Sequence, residues 1–123
     1  MPTPSVIPPP TRYPLHLTRA EMAAWLLAQN CWDAIGPLSP KGARWIARHA
    51  TEWVLVQLPI GHFGYCLDEP SHAAPGQPIV ACIKRGEWEV LDGQHRISKA
   101  LQDEQTGELV AYVPKCHADK IEY

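Results

Sequence analysis

The sequence predicts a single α+β domain: a small mixed sheet with helices packed on it, and a helical pair at its N-terminal end. Three observations predict it. Two capped, amphipathic segments lie before residue 50, β-branched and aromatic runs begin at Trp53, and residues 88–100 read as a strand that breaks at Asp92-Gly93 and restarts as a helix. The length of 123 residues suits one core rather than two, and a hydrophobic content of 46% marks a globular chain. Residues 1–14 form a Pro-rich arm and 15–123 the domain.

Six prolines between residues 2 and 14 remove backbone donors and favour extended geometry, so the arm is read as a tail or as a strap on the surface. Thr18-Arg19-Ala20-Glu21 has the capping-box pattern and opens a helix over about residues 19–31, with Met22, Trp25, Leu26 and Gln29 on one stripe that Ala23 and Leu27 widen. Gly36-Pro37 breaks the chain. Ser39-Pro40 then supplies an N-cap and a proline for the first turn of a second helix, about residues 40–50, which carries Trp45 and Ile46 inward. Arg44 and Arg48, four apart, share one face of it, read as a solvated basic stripe with a phosphate-tracking face as the alternative.

Trp53–Leu58 reads as a strand closed by Pro59. From Ile60 to Gln77 the chain has no period, and the segment is read as a lid or rim with Gly61 and Gly64 as pivots. Ile79–Ile83 and Trp88–Leu91 flank Lys84-Arg85-Gly86-Glu87 as a hairpin with glycine at the tight position. A helix over about residues 95–105 stops at Thr106-Gly107, and Leu109–Val113 forms the last strand, ended by Pro114. Residues 115–123 are polar and are expected to fray. Of the five tryptophans, Trp25, Trp45 and Trp53 are expected in the core, with Trp32 and Trp88 exposed.

The Asp92-Gly93 junction is an anion site in outline. A strand that ends in a glycine turn and feeds a helix leaves backbone N–H groups unpaired, and the helix adds about half a positive charge at its start. His95 and Arg96 supply donors, and Ser98 and Lys99 lie within one further turn. Asp92 is read as a structural group that accepts backbone N–H bonds across the turn; with Mg²⁺ present, it or Asp68 or Glu69 would serve as a metal ligand.

Asp92-Gly93-Gln94-His95-Arg96, with Ala100 one helical turn on, resembles the Asp-Gly-x-His-Arg box of the ParB/sulfiredoxin-fold (ParB-like nuclease domain) family. Pro78-Ile79-Val80 resembles the strand before that box and Leu109–Val113 the strand after its helix, so the resemblance covers about residues 77–114. It implies a nucleotide-binding, phosphate-binding loop that takes a nucleoside triphosphate, ATP or CTP, to which Mg²⁺ is an optional addition from the Asp92 reading above. On this chain the cofactor-binding set is Asp92, Gly93, Gln94, His95, Arg96, Ser98 and Lys99, with His95 and Arg96 as catalytic candidates for phosphoryl transfer or hydrolysis. Branches of the family are CTP-dependent DNA-partition clamps, kinases, sulfinic-acid reductases and nucleases. Sulfiredoxins place a reactive cysteine where this chain has Gln94, so sulfinic-acid reduction is not expected. Residues up to Tyr123 hold no downstream phosphate motif or helix-turn-helix of the long ParB proteins, so clamp behaviour is not expected either.

Two alternatives stand beside nucleotide binding. One is a DNA-acting nuclease or plasmid or phage accessory protein, which a net charge of −2 does not favour. The other is a catalytically inactive protein-binding module on the same fold, presenting tryptophans to a partner. A P-loop motif is missing, and His62, Cys66, His72 and Cys116-His117 lack the paired spacing of a zinc site. The widely spaced cysteines, Cys31, Cys66, Cys82 and Cys116, are read as reduced thiols. With no apolar run of about 20 residues and no charged or apolar signal regions at the N-terminus, a cytoplasmic protein without membrane contact is expected.

Overall fold

The computed structural model describes residues 13–28, 39–63, 78–93, 97, 101 and 108–121. Their elements run β1 (His16–Thr18), α1 (Arg19–Ala28), α2 (Pro40–Ala47), β2 (Glu52–Pro59), a 3₁₀ turn (Ile60–His62), β3 (Ile79–Lys84), β4 (Glu87–Asp92), β5 (Glu108–Pro114) and α3 (Lys115–Ala118). The five strands form one mixed sheet in the order β1-β2-β5-β3-β4. Only β3 and β5 run parallel; β1–β2, β2–β5 and β3–β4 are antiparallel. The α+β class is therefore as the sequence predicts. Among the described residues, no helix is long and apolar enough to cross a membrane.

Alternation along the strands sorts side chains to two faces. On one face, Trp53 and Leu55 of β2, Val80 of β3 and Tyr112 of β5 pack with Met22 and Leu26 of α1 and Ala43, Ile46 and Ala47 of α2. On the other, Val56, Leu58, Ile79, Ala81, Ala111 and Val113 pack with Phe63, Ile97 and Ile121. β5 sits between β2 and β3, and its buried run Ala111–Val113 serves both cores.

The helix starts follow their sequence signals. Thr18 N–H donates to Glu21 Oε1 at 2.9 Å and Glu21 N–H donates to Thr18 Oγ1 at 3.2 Å, the reciprocal capping box. The Thr18 backbone N–H, and after it the Thr18 hydroxyl, hold the Glu21 carboxyl below its ordinary pKa. Ser39 Oγ accepts from Gly42 N–H at 3.0 Å, with Pro40 in the first turn. The described part of α1 ends at Ala28, and α2 ends at Ala47 with Arg48 as its cap, short of residue 50.

Several expectations are corrected. Trp45 does not point inward: it is 45% exposed, because the buried stripe of α2 is Ala43, Ile46 and Ala47, and Trp45 lies off that line. Leu27 is likewise 43% exposed, on the solvent side of α1. Residues His16–Thr18, unassigned by pattern, pair with Val54, Trp53 and Glu52 as an edge strand. The chain from Tyr13 is strapped to the fold: Tyr112 Oη donates to Pro14 C=O at 2.6 Å, Leu55 N–H donates to Leu15 C=O at 3.0 Å, and Tyr13 meets Trp25 edge-on. Residues 115–121 do not fray, since α3 turns back and buries Ile121 in the second core. The rest of the arm, Trp32 and most of the 60–77 segment lie outside the described residues.

Candidate functional site

β3 and β4 form the predicted hairpin. Arg85 (φ 53°) and Gly86 (φ 80°) both take positive φ, the two-residue geometry whose twist matches that of paired strands. Its register shifts between Val80 and Ala81, where Val80 faces Asp92 and Ala81 faces Val90, so Leu91 is the extra residue of a bulge. The bulge falls immediately before the end of the strand. Leu91 packs in the first core while Val90 and Trp88 pack in the second, so the bulge re-aims the chain as it enters Gly93.

Gly93 is buried with φ +100°, a conformation that strains any residue with a Cβ. Its carbonyl accepts from Ile97 N–H at 3.3 Å, an i→i+4 helical bond, and Ile97 and Leu101 are both helical. Ile97 is 1% exposed, and Leu101, one turn on, packs partly buried against the same core. Strand, glycine turn and helical bond therefore follow one another as the sequence predicts. Asp92 is the last residue of β4 and is half-buried. Gln94, His95, Arg96, Ser98 and Lys99 lie outside the described residues, as do Asp68 and Glu69. Of the candidate set, the structure places Asp92 and Gly93.

A second concave region lies at the opposite end of β4. Gly61, His62, Phe63, Ile83, Gly86, Glu87, Trp88 and Lys120 line a cleft of about 770 Å³. Trp88 is half-buried rather than free, stacked with His62 at 6.2 Å between centroids and 10° between planes, and edge-on to His117 at 6.4 Å. Trp88 and Asp92 are four residues apart on β4, about 13 Å at the usual strand rise. The cleft and the Gly93 turn are therefore separate places. Gly61-His62, Trp88 and His117 lie far apart in the sequence, where His62 and His117 share only the weak zinc pattern; the hairpin and the return of α3 bring them together around one aromatic ring.

His117 closes a gap in the sheet. β5 leaves β3 at Pro114 to become α3, and Nδ1 of His117 accepts the Ile83 N–H at 3.1 Å in place of a strand carbonyl. An accepting Nδ1 carries no proton, so the ring is neutral with its proton on Nε2. Burial, and then the nearby Lys120 charge, push its pKa below the ordinary histidine value. Because the folded pKa is the lower one, the stability from this bond is full above the unfolded value of about 6.5 and is lost as pH falls through the folded value. Urea denaturation of wild type and His117→Gln between pH 8 and 5 checks this: the wild type is expected to lose more stability on acidification, and parallel curves would contradict it.

Lys84 lies on the same hairpin, its Nζ 3.9 Å from Glu89 Oε2 and 5.0 Å from the centre of the Trp45 ring. Cys82 is buried, and burial raises its thiol pKa; Cys116 is exposed, and both are free thiols. Among the described residues, no group of three His, Cys, Asp or Glu is placed to hold a metal ion.

The fold and the turn define the class of this molecule as a small mixed-sheet α+β domain with a glycine-turned strand-to-helix junction. Set against models of protein families, curated proteins and solved structures, the chain finds no match.

Proposed function

We propose that this chain is a nucleotide-binding domain of the ParB-like kind, holding the phosphates of a nucleoside triphosphate, ATP or CTP, at the Asp92–Gly93 turn. The observation that carries the reading is the buried Gly93 at φ +100° whose carbonyl receives the Ile97 helical bond. A residue without a Cβ lets a phosphate approach the backbone closely, and a helix opening at a strand end directs N–H groups and positive potential to one spot. Next in sequence come Gln94, His95 and Arg96, then Ser98 and Lys99, which supply donors and charge for that anion. Were Mg²⁺ bound with the phosphates, it would neutralise their charge, and Asp92, Asp68 or Glu69 would be its protein ligand; without it, Asp92 fixes the turn. Arg96 and His95 then stabilise charge as it develops in phosphoryl transfer or hydrolysis.

A protein-binding role for the same fold is favoured by one observation, the 45% exposed Trp45 beneath the Lys84 ammonium. Thermal denaturation separates the two readings. With ATP, CTP, GTP, UTP, ADP and pyrophosphate, each with and without Mg²⁺, a ligand at about 100 times its Kd stabilises by roughly 2.7 kcal/mol, several degrees for a domain of this size. Wild type is expected to show a nucleotide-specific rise that Arg96→Ala loses while remaining folded. No rise with any of the six would overturn triphosphate binding at the turn and leave the partner surface as the reading of the fold.

A further inference from the structure

The cleft at the hairpin end of β4 combines three chemistries. Trp88 offers a half-buried ring contacted by two histidines: His62 lies nearly parallel to it at 6.2 Å and His117 meets it edge-on at 6.4 Å, its Nδ1 tied to Ile83 N–H. Ring orientation is thus set before any ligand arrives, which lowers the cost of stacking. Phe63 and Ile83 add apolar wall. Lys120 and Glu87, one cation and one anion, also line the cleft, both exposed and neither in an ion pair among the described residues. At Gly61 an added Cβ would meet nothing within 4 Å, so the space beside the 3₁₀ turn is open.

We infer that this cleft is a binding site for a flat heteroaromatic ring bearing one acidic group, the chemistry of a nucleoside monophosphate unit. The ring stacks on Trp88, as bases do on aromatic side chains irrespective of sequence. Its phosphate pairs with Lys120, and the Glu87 carboxylate accepts from the sugar hydroxyls. A volume of about 770 Å³ lies within the usual range for small-ligand sites and leaves room for base, sugar and one phosphate together. Charge sets the preference: with one lysine balanced by one glutamate, the cleft favours a single phosphate over a triphosphate. The site is distinct from the Gly93 turn, from which β4 separates it, and it stands whether or not that turn binds nucleotide.

Calorimetric titration of the whole chain with AMP, adenosine and a five-nucleotide single strand tests the inference. Wild type is expected to bind AMP. Gly61→Leu, which fills the open space, is expected to abolish that binding, and Lys120→Ala to weaken AMP about tenfold while leaving adenosine unchanged. Lys120 has an exposed side chain, so this variant reports even where Gly61→Leu does not fold. Tighter binding of the strand than of AMP would identify the ligand as a nucleic-acid unit, and the reverse as a free nucleotide. No binding of AMP or of the strand by wild type, affinity unchanged in both variants, or loss of AMP only in Arg96→Ala would overturn it.

Discussion

Replacing Trp53 with alanine is expected to cost about 3–5 kcal/mol, lowering the thermal midpoint by more than about 10 °C. Trp53 is fully buried where α1 and α2 meet β2, packed in one cluster with Met22, Leu26, Ala43, Ile46 and Tyr112. Its indole Nε1–H donates to Ala47 C=O at 3.2 Å, at the last turn of α2. Truncation empties the largest side chain of that core and removes one of the two donors to a helix-end carbonyl, leaving Ala50 N–H at 3.4 Å, so the cavity loss dominates and the hydrogen-bond loss adds to it. Trp45→Ala is the matched comparison, the same truncation at an exposed ring of α2. Trp45 is 45% exposed and contributes chiefly its contacts with Lys84 and His49, so a loss below about 1 kcal/mol is expected. Chemical denaturation of both variants checks the pair, and equal losses would contradict the placement of the two rings.

Gly93→Ala is expected to destabilise by about 1–3 kcal/mol and to remove nucleotide binding with it. At φ +100° a Cβ collides with the backbone, so the variant must shift the turn. A shifted turn breaks the alignment between Gly93 C=O and Ile97 N–H, and with it the entry to the helical segment that seats Ile97 in the second core. Gly61→Ala is the control for stability alone, because its Cβ meets nothing within 4 Å and its φ is not positive. Urea midpoints read the first effect and nucleotide-induced stabilisation the second. A Gly93→Ala protein as stable as Gly61→Ala, with binding intact, would contradict the account of the turn.

Local chemistry was legible in the sequence wherever a few adjacent residues settle it. Thr18 and Glu21 cap α1 reciprocally, Ser39 and Pro40 open α2, and Arg85-Gly86 turns the hairpin, each as its own residues dictate. The Gly93 turn belongs with these, since a strand, a glycine and a helical period are all local signals. What escaped depends on distant partners. β1 has one buried residue, Leu17, in three, and becomes a strand only because β2 offers Glu52–Val54 beside it. Residues 115–121 look polar, yet β5 carries them to the open flank of β3, where His117 replaces a strand partner and Ile121 finds a core. Trp45 is a different case. The spacing Ala43, Ile46, Ala47 marks the buried face of α2, and the size of the indole outweighed a period that was there to be read. Of the candidate site, Asp92 and Gly93 stand where the strand-turn-helix pattern puts them, while the Trp88 cleft assembles from three separated segments that no local pattern joins.

The most direct measurement is a backbone amide NMR titration of the isotope-labelled chain with CTP and with ATP, each with Mg²⁺. The account predicts saturable shifts concentrated at residues 93–99, led by the amides that follow Gly93, with the same residues responding to pyrophosphate. Titration that leaves those amides unmoved, or that moves only residues around Gly61, Trp88 and Lys120, would contradict a phosphate site at the turn.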